Sequence, residues 1–217
     1  MKEIKAIFID LNGTLYNFDF LKYQQMIDAL YEAGTDLGLK WADFAKTKAQ
    51  LKEKGYRGFY NTALALCQQQ NISFDLVAKK MADKLDHTML HPNPELLDVL
   101  QRLSKLKKVV ILTNTTRPHL EKVFKYLFQC SIRQSGLKVV SIEETLKRGH
   151  FYVKRMSGVL TNWCKKMKVP PENTLILDDS DKIIQAAKEQ GLQYRHIKDS
   201  SETLKILKRL LKTYSLK

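Results

Sequence analysis

Cysteine is scarce: Cys67, Cys130 and Cys164 are the three in 217 residues, odd in number and far apart, with no C-x-x-C pair. That excludes a disulfide scaffold and a thiolate zinc site, and it suits a reducing, cytoplasmic compartment in which all three are inert small side chains. Long apolar runs are missing as well. The longest stretches, such as Ala63 to Cys67 and Val109 to Leu112, run to only five and four residues, and mean hydropathy is −0.34. A membrane-crossing helix needs about 20 apolar residues, so no span is expected. The N-terminal apolar stretch ends at Asp10, too early for a signal peptide. Nine Gly and five Pro, without period or clustering, exclude collagen-like and low-complexity classes. A chain of this length buries roughly 70% of its unfolded surface and needs no staple to fold.

Positive charge is abundant. Lys and Arg number 37 against 23 Asp and Glu, a formal net charge of +14. Residues 17–91 hold ten basic and nine acidic side chains, so the remaining residues carry almost all of the excess. A phosphorylated or polyanionic partner fits that excess, and so does an ordinary solvated surface. The C-terminal Lys205, Lys208, Arg209, Lys212 and Lys217 read as the solvated face of a last helix. No nucleic-acid module signature is present, and nucleic acid is not an expected partner.

Periodicity divides the chain. Lys5 to Ile9 reads as a buried strand stopped by Asp10 and the Asn12-Gly13 turn. From Phe18 to Leu90 the pattern is helical: Leu21 to Ala33 broken by Gly34 and Gly38, then Trp41 to Leu51, Phe59 to Cys67, and Phe74 to Leu90 capped by Ser73. Beyond Pro92 and Pro94, helices (96–106, 118–128, 156–167, 182–190, 201–211) alternate with strands (108–112, 137–140, 174–177, 194–197). This alternation predicts an α/β fold, a doubly wound parallel-sheet core of residues 1–16 and 92–217, with an all-helical cap inserted over 17–91.

In such sheets ligands sit at the carboxyl ends of the strands. Three predicted strands end in Asp10-Leu11-Asn12-Gly13-Thr14, in Thr113-Asn114 and in Asp178-Asp179-Ser180. Brought together, these carboxylates need a hard cation with oxygen ligands, most simply Mg2+, which would position and neutralise a phosphate. Lys154 could add a fixed positive charge.

Asp10 to Leu15 resembles the first motif, D-x-D-G-T-L, of the haloacid dehalogenase superfamily. Val109 to Asn114, Lys154 and Leu175 to Ser180 resemble the second, third and fourth, in order and at family spacing. The likeness runs the whole length of the chain, with residues 16–91 in the place of the helical cap. Thr14-Leu15-Tyr16, Asp178-Asp179-Ser180 and Arg57 to Leu66 more loosely resemble pyrimidine 5′-nucleotidase-like phosphatases. The resemblance implies a Mg2+-dependent phosphatase acting on a small phosphorylated metabolite, with a nucleotide as one candidate. Asp10 would be the nucleophile that forms an aspartyl-phosphate. Asp10, the backbone carbonyl of Asn12, Asp178 and Asp179 would hold the metal, and Thr113, Asn114 and Lys154 the phosphoryl oxygens.

The chain departs from the family pattern in three places. Asn12 stands where phosphatases carry the aspartate that protonates the leaving oxygen and activates water; an amide cannot titrate. Ile183 stands where Asp, Asn or Gly often supports the metal shell. Arg155 replaces the proline that often follows the motif lysine. For Asn12, drift to a weak or silent phosphatase, a substitution introduced to trap a ligand, and a chemistry with another proton source all remain open. A silent phosphate-binding protein is therefore the competing expectation. A Schiff-base role for Lys52 or Lys54, as in phosphonate-cleaving relatives, gives way to a solvated helix face. A zinc pair at His87 and His91 is disfavoured by the helix ending at Pro92. Tyr16, Phe18, Phe20 and Tyr56 to Tyr60 fit cap core better than a substrate entrance. The sequence is silent on oligomeric state.

Overall fold

The computed structural model describes residues 3–17, 23–56 and 58–216. Phe18, Phe20, Leu21, Arg57 and Lys217, named above, lie outside the described residues. The central element is a five-stranded parallel sheet of β1 (Ala6–Ile9), β2 (Lys108–Leu112), β3 (Lys138–Val140), β6 (Thr174–Asp178) and β7 (Gln193–His196), in the order β3-β2-β1-β6-β7. β1 is entirely buried between β2 and β6, in register from Ala6 against Lys108 and Thr174.

Both sheet faces are covered, as the near-continuous apolar runs of the inner strands require. Ile7, Ile9, Val109, Ile111, Leu175 and Leu177 point to one side. There they pack on α5 (Pro94–Leu106), α6 (Arg117–Leu127) and α10 (Ser200–Ser215). Phe8, Val110, Leu112 and Ile176 alternate to the other side, against α8 (Val159–Lys166) and α9 (Asp181–Glu189). The architecture is doubly wound. Chain order runs outward from β1 to β3 and then returns to β6 on β1's other flank, so the crevice between β1 and β6 is a topological switch point.

Four helices, α1 (Tyr23–Asp36), α2 (Phe44–Glu53), α3 (Phe59–Gln69) and α4 (Phe74–Lys84), form a helical cap around a separate core that includes Leu30, Leu66, Val77 and Met81. Ser73 caps α4, its hydroxyl accepting from Leu76 N. Gly34 does not break α1 as expected. The helix runs through it to Asp36, and the glycine serves packing instead: a Cβ there would overlap the Trp41 indole. α4 stops at Lys84 rather than Leu90, since Asp86 draws Thr88 N and Oγ1 to its carboxylate in a local turn that competes with the helix.

Two pieces went unanticipated. A hairpin of β4 (Leu146–Lys147) and β5 (His150–Phe151) turns through Arg148 and Gly149, both left-handed (φ 51° and 75°). The short α7 (Ile132–Ser135) starts in a Ser131/Gln134 capping box. α8 also begins later than the expected 156, at Val159, after the left-handed Gly158. Among the described residues no helix is long and apolar enough to cross a membrane.

Candidate active site

The chain leaving β1 keeps its sheet pairing for one more residue, Asp10 N donating to Leu177 O at 2.9 Å. It then folds back at once, with Leu15 N bonded to Leu11 O at 2.8 Å. Asp10 is thereby fixed at the end of β1, 7% exposed. Asp178, 1% exposed, ends β6 beside it, and Asp179 follows. One carboxylate oxygen from each of Asp10, Asp178 and Asp179 lies within 4.8 Å of the other two.

Lys154 enters this cluster from the loop after β5. Its Nζ lies 2.5 Å from Asp10 Oδ1 and 2.6 Å from Asp178 Oδ2. Asn114 places it, Oδ1 accepting from Lys154 N at 3.0 Å. The other Asp178 oxygen accepts from Ser180 N at 3.0 Å, and His196 Nε2 donates to the Asp179 carbonyl at 2.8 Å. Gly13 makes room for Asp179: a Cβ at position 13 would lie 2.5 Å from Asp179 Oδ2.

Electrostatics follow from this crowding. Burial pushes the Asp10 carboxyl up to about 7; Lys154 opposes the shift, and Asp178 and Asp179 add to it. Burial and Asp178 likewise raise Asp179. Burial alone would lower Lys154, but Asp10 and Asp178 hold its proton well above the usual lysine range. Three carboxylates against one ammonium leave an excess of two negative charges when all are ionised, which a divalent cation matches. The hard oxygen donors Asp10, Asp178 and Asp179 fit Mg2+ by chemistry and spacing.

Asn12 is held on both sides of its amide. Tyr16 Oη donates to its Oδ1 at 2.5 Å, and its Nδ2 donates to Thr115 Oγ1 at 2.9 Å. Burial, then the Asp10 charge, raise the Tyr16 phenol well above its ordinary value, so it remains a donor. Tyr16 packs in the sheet-side core with Ile9, Leu11 and Leu96 rather than in the cap core as expected, and it also orients the amide; Thr115 was not anticipated at all. Thr113, buried, accepts from Thr115 N at 3.3 Å and lines the cleft together with Asn114.

That cleft measures about 330 Å³. Its floor holds Asp10, Asn12, Thr113, Asn114, Lys154, Asp178 and Asp179, and its roof Met26 and Ile27 of α1 and Gly58 to Asn61 at the start of α3. All seven sequence-predicted site residues thus meet in one place, beneath the helical layer. Phe59 and Tyr60 serve both as cleft wall and as neighbours of the cap core. Ile183 is buried among Phe8, Ile176 and Leu192 and offers no ligand atom. Arg155 and Lys182 border the cleft.

The remaining candidates lie elsewhere. His87 faces His119 rather than His91, Nε2 to Nδ1 at 3.3 Å, with its own Nδ1 on Leu85 O. Lys52 and Lys54 are exposed. Cys67 and Cys164 are buried and Cys130 half-buried; burial raises all three thiols, Cys67 to about 11. On α10 the basic side chains are exposed, and Lys208 pairs with Glu95 at 2.5 Å.

A family model for haloacid dehalogenase-like hydrolases matches residues 4–191. The chain belongs to this family. Solved structures agree with the hydrolase fold. A point mutant of CbbY from Rhodobacter sphaeroides, bound to xylulose 1,5-bisphosphate, superposes with a TM-score of 0.57 at 18% identity, covering 88% of this chain and 85% of that one. The enzyme bt-2542 from Bacteroides thetaiotaomicron, in complex with magnesium and inorganic phosphate, gives 0.52 at 18%, covering 89% and 93%. A predicted haloacid dehalogenase-like hydrolase from Porphyromonas gingivalis gives 0.55 at 17%, covering 96% and 98%. No curated protein matches the chain in sequence.

Proposed function

We propose that this hydrolase is a Mg2+-dependent phosphomonoester hydrolase acting on a small phosphorylated metabolite through an aspartyl-phosphate on Asp10, with turnover weakened by Asn12. Residues 1–16 and 92–217 would form the catalytic core and 17–91 the cap that selects the substrate. The observation that carries the reading is Lys154 seated between Asp10 and Asp178, with Asp179 beside them, on the floor of a roofed cleft. The bt-2542 structure, which holds magnesium and phosphate on the same fold, supports it.

Bound to Asp10, Asp178, Asp179 and the Asn12 carbonyl, Mg2+ would supply charge neutralisation for the phosphoryl group. Thr113 and Lys154 would orient the phosphoryl oxygens. Asp10, fixed by its sheet bond to Leu177, would attack phosphorus with one carboxylate oxygen, and water would then release phosphate from it. Asn12 has no proton to give or take in either step. Losing such a group typically costs about 10²–10⁴-fold.

A second reading, a protein that binds phosphate and Mg2+ without turnover, is favoured by the two-sided anchoring of the Asn12 amide, which suits a residue that is not required to titrate. One experiment separates the two: Mg2+-dependent phosphate release from p-nitrophenyl phosphate and a nucleotide panel by the native chain, Asn12→Asp and Asp10→Ala. Native turnover abolished by Asp10→Ala is expected. Turnover by Asn12→Asp alone would leave the native chain a binding protein. Inactivity of all three would contradict the hydrolase reading.

A further inference from the structure

A general acid matters most when the leaving group is strongly basic, because an alcohol expelled without a proton departs as an alkoxide. Phosphoryl transfer passes through a loose transition state in which the leaving oxygen already bears much of the negative charge. The position that would neutralise that charge here holds an amide with a fixed orientation. Tyr16 takes its oxygen and Thr115 one of its N–H groups, leaving the second N–H of Nδ2 to face a ligand as a neutral donor.

The rest of the cleft offers no substitute. Among the described residues its lining contains no imidazole and no carboxyl beyond Asp10, Asp178 and Asp179. The Lys154 ammonium is committed to two carboxylates, and the Tyr60 hydroxyl is directed at Met81 Sδ, 4.0 Å away in the cap core. What the cleft does offer is fixed positive charge. Arg155 and Lys182 line it, and among the described residues neither is ion-paired. Arg155 occupies the very position where relatives often carry proline. A guanidinium does not give up its proton, and an ammonium is a far weaker acid than a carboxyl, so such a site suits stabilising a departing anion better than protonating it.

We propose that the site acts on phosphoryl compounds whose leaving group departs as a stable anion, namely acyl phosphates and esters of acidic hydroxyls such as enols and phenols, in preference to esters of ordinary alcohols. This rests on the reading of Asp10 as nucleophile. In the first step an Asp10 carboxylate oxygen bonds to phosphorus, the bond from phosphorus to the leaving oxygen breaks, and that oxygen keeps the electron pair as carboxylate, enolate or phenolate. In the second step a water oxygen bonds to phosphorus, the bond to Asp10 breaks and returns its pair to the carboxylate, and the water proton passes to phosphate or solvent. Asp10 itself is then a leaving group that needs no proton; the lack of a base for the attacking water slows the second step equally for every substrate, so the choice among substrates is made in the first.

The test measures kcat/KM with Mg2+ for aryl phosphates of graded phenol acidity, acetyl phosphate, and alkyl phosphates including a nucleoside monophosphate. Native protein and Asn12→Asp are compared, with Asp10→Ala as the blank. Native rates are expected to fall steeply with leaving-group basicity while acetyl phosphate is turned over. Asn12→Asp is expected to flatten the dependence and speed alkyl phosphates by about 10²-fold or more. Comparable native rates on aryl and alkyl phosphates, or the same slope in both proteins, would overturn the proposal and leave the hydrolase reading standing. Inactivity of native and Asn12→Asp protein toward every compound would instead overturn the hydrolase reading, and the proposal with it.

Discussion

Side-chain placement around Asp10 is dictated by crowding. Gly13 sits at φ 75° with Asp179 against the space a side chain would fill. Gly13→Ala is therefore expected to destabilise the protein by about 1–2 kcal/mol for the left-handed backbone alone. It should also displace Asp179 and diminish the thermal stabilisation by Mg2+; a melting curve with unchanged Tm and unchanged Mg2+ response would contradict the packing described. Asp10, Asn12, Thr113, Asn114, Lys154, Asp178 and Asp179 were legible in the sequence because each follows a recognisable strand or motif. Thr115 and Tyr16 were not, since what matters about them is hydrogen bonds: Thr115 meets Asn12 across 103 positions of chain. Asn12 reads differently once those bonds are seen. It is an amide whose oxygen and nitrogen are both used, and a carboxylate there would meet two hydroxyls able to donate to it.

Between elements, the cap is joined to the core through a side chain that imitates a strand. Asn61 of α3, buried, accepts from Phe151 N at 2.7 Å and donates to Phe151 O at 2.9 Å, pairing with the edge of β5 that no strand among the described residues covers. Asn61→Ala would orphan a buried N–H and a buried carbonyl, each at about 1–3 kcal/mol. A clear drop in Tm is expected, with Asn61→Leu no better, because the loss is of hydrogen bonds rather than volume; a Tm unchanged in both variants would contradict this. The hairpin that Asn61 grips could not be read in advance. Its strands are two residues long, too short for an alternating pattern, and its turn places the non-glycine Arg148 in the left-handed region. The larger strands could be read because β1, β2 and β6 are buried on both faces and so appear as short unbroken apolar runs. Helix ends were read less well. Trp41 over Gly34 and Asp86 beneath Thr88 are contacts that local propensity does not reveal.

For the whole molecule, the cost of gathering three carboxylates under a cap sets the pH response. The Asp10 carboxyl titrates at about 7 in the fold against 3.8 for the free group. A folded value above the unfolded one contributes stability that is fully present below the unfolded value and lost as pH rises through the folded one. The metal-free protein is thus expected to lose this contribution between about pH 4 and about pH 7. Mg2+ requires the ionised carboxylate and should raise Tm more at about pH 8 than at about pH 5.5. Equal shifts at both values would contradict the assignment of Asp10 to the metal cluster. The sheet order that makes β6 the direct neighbour of β1 is what makes this concentration of charge possible, because it brings the two strand ends that carry the three carboxylates to one crevice.

The central claim is that Asp10 carries the phosphoryl group. It is tested most directly by exposing the Mg2+-loaded protein to acetyl phosphate, quenching in acid, and measuring the masses of the peptides that contain Asp10. The account predicts one added phosphoryl group on the Asp10 peptide of the native chain, labile at alkaline pH and absent in Asp10→Ala. Phosphate release dependent on Mg2+ with no label on that peptide, or a label that survives in Asp10→Ala, would contradict it.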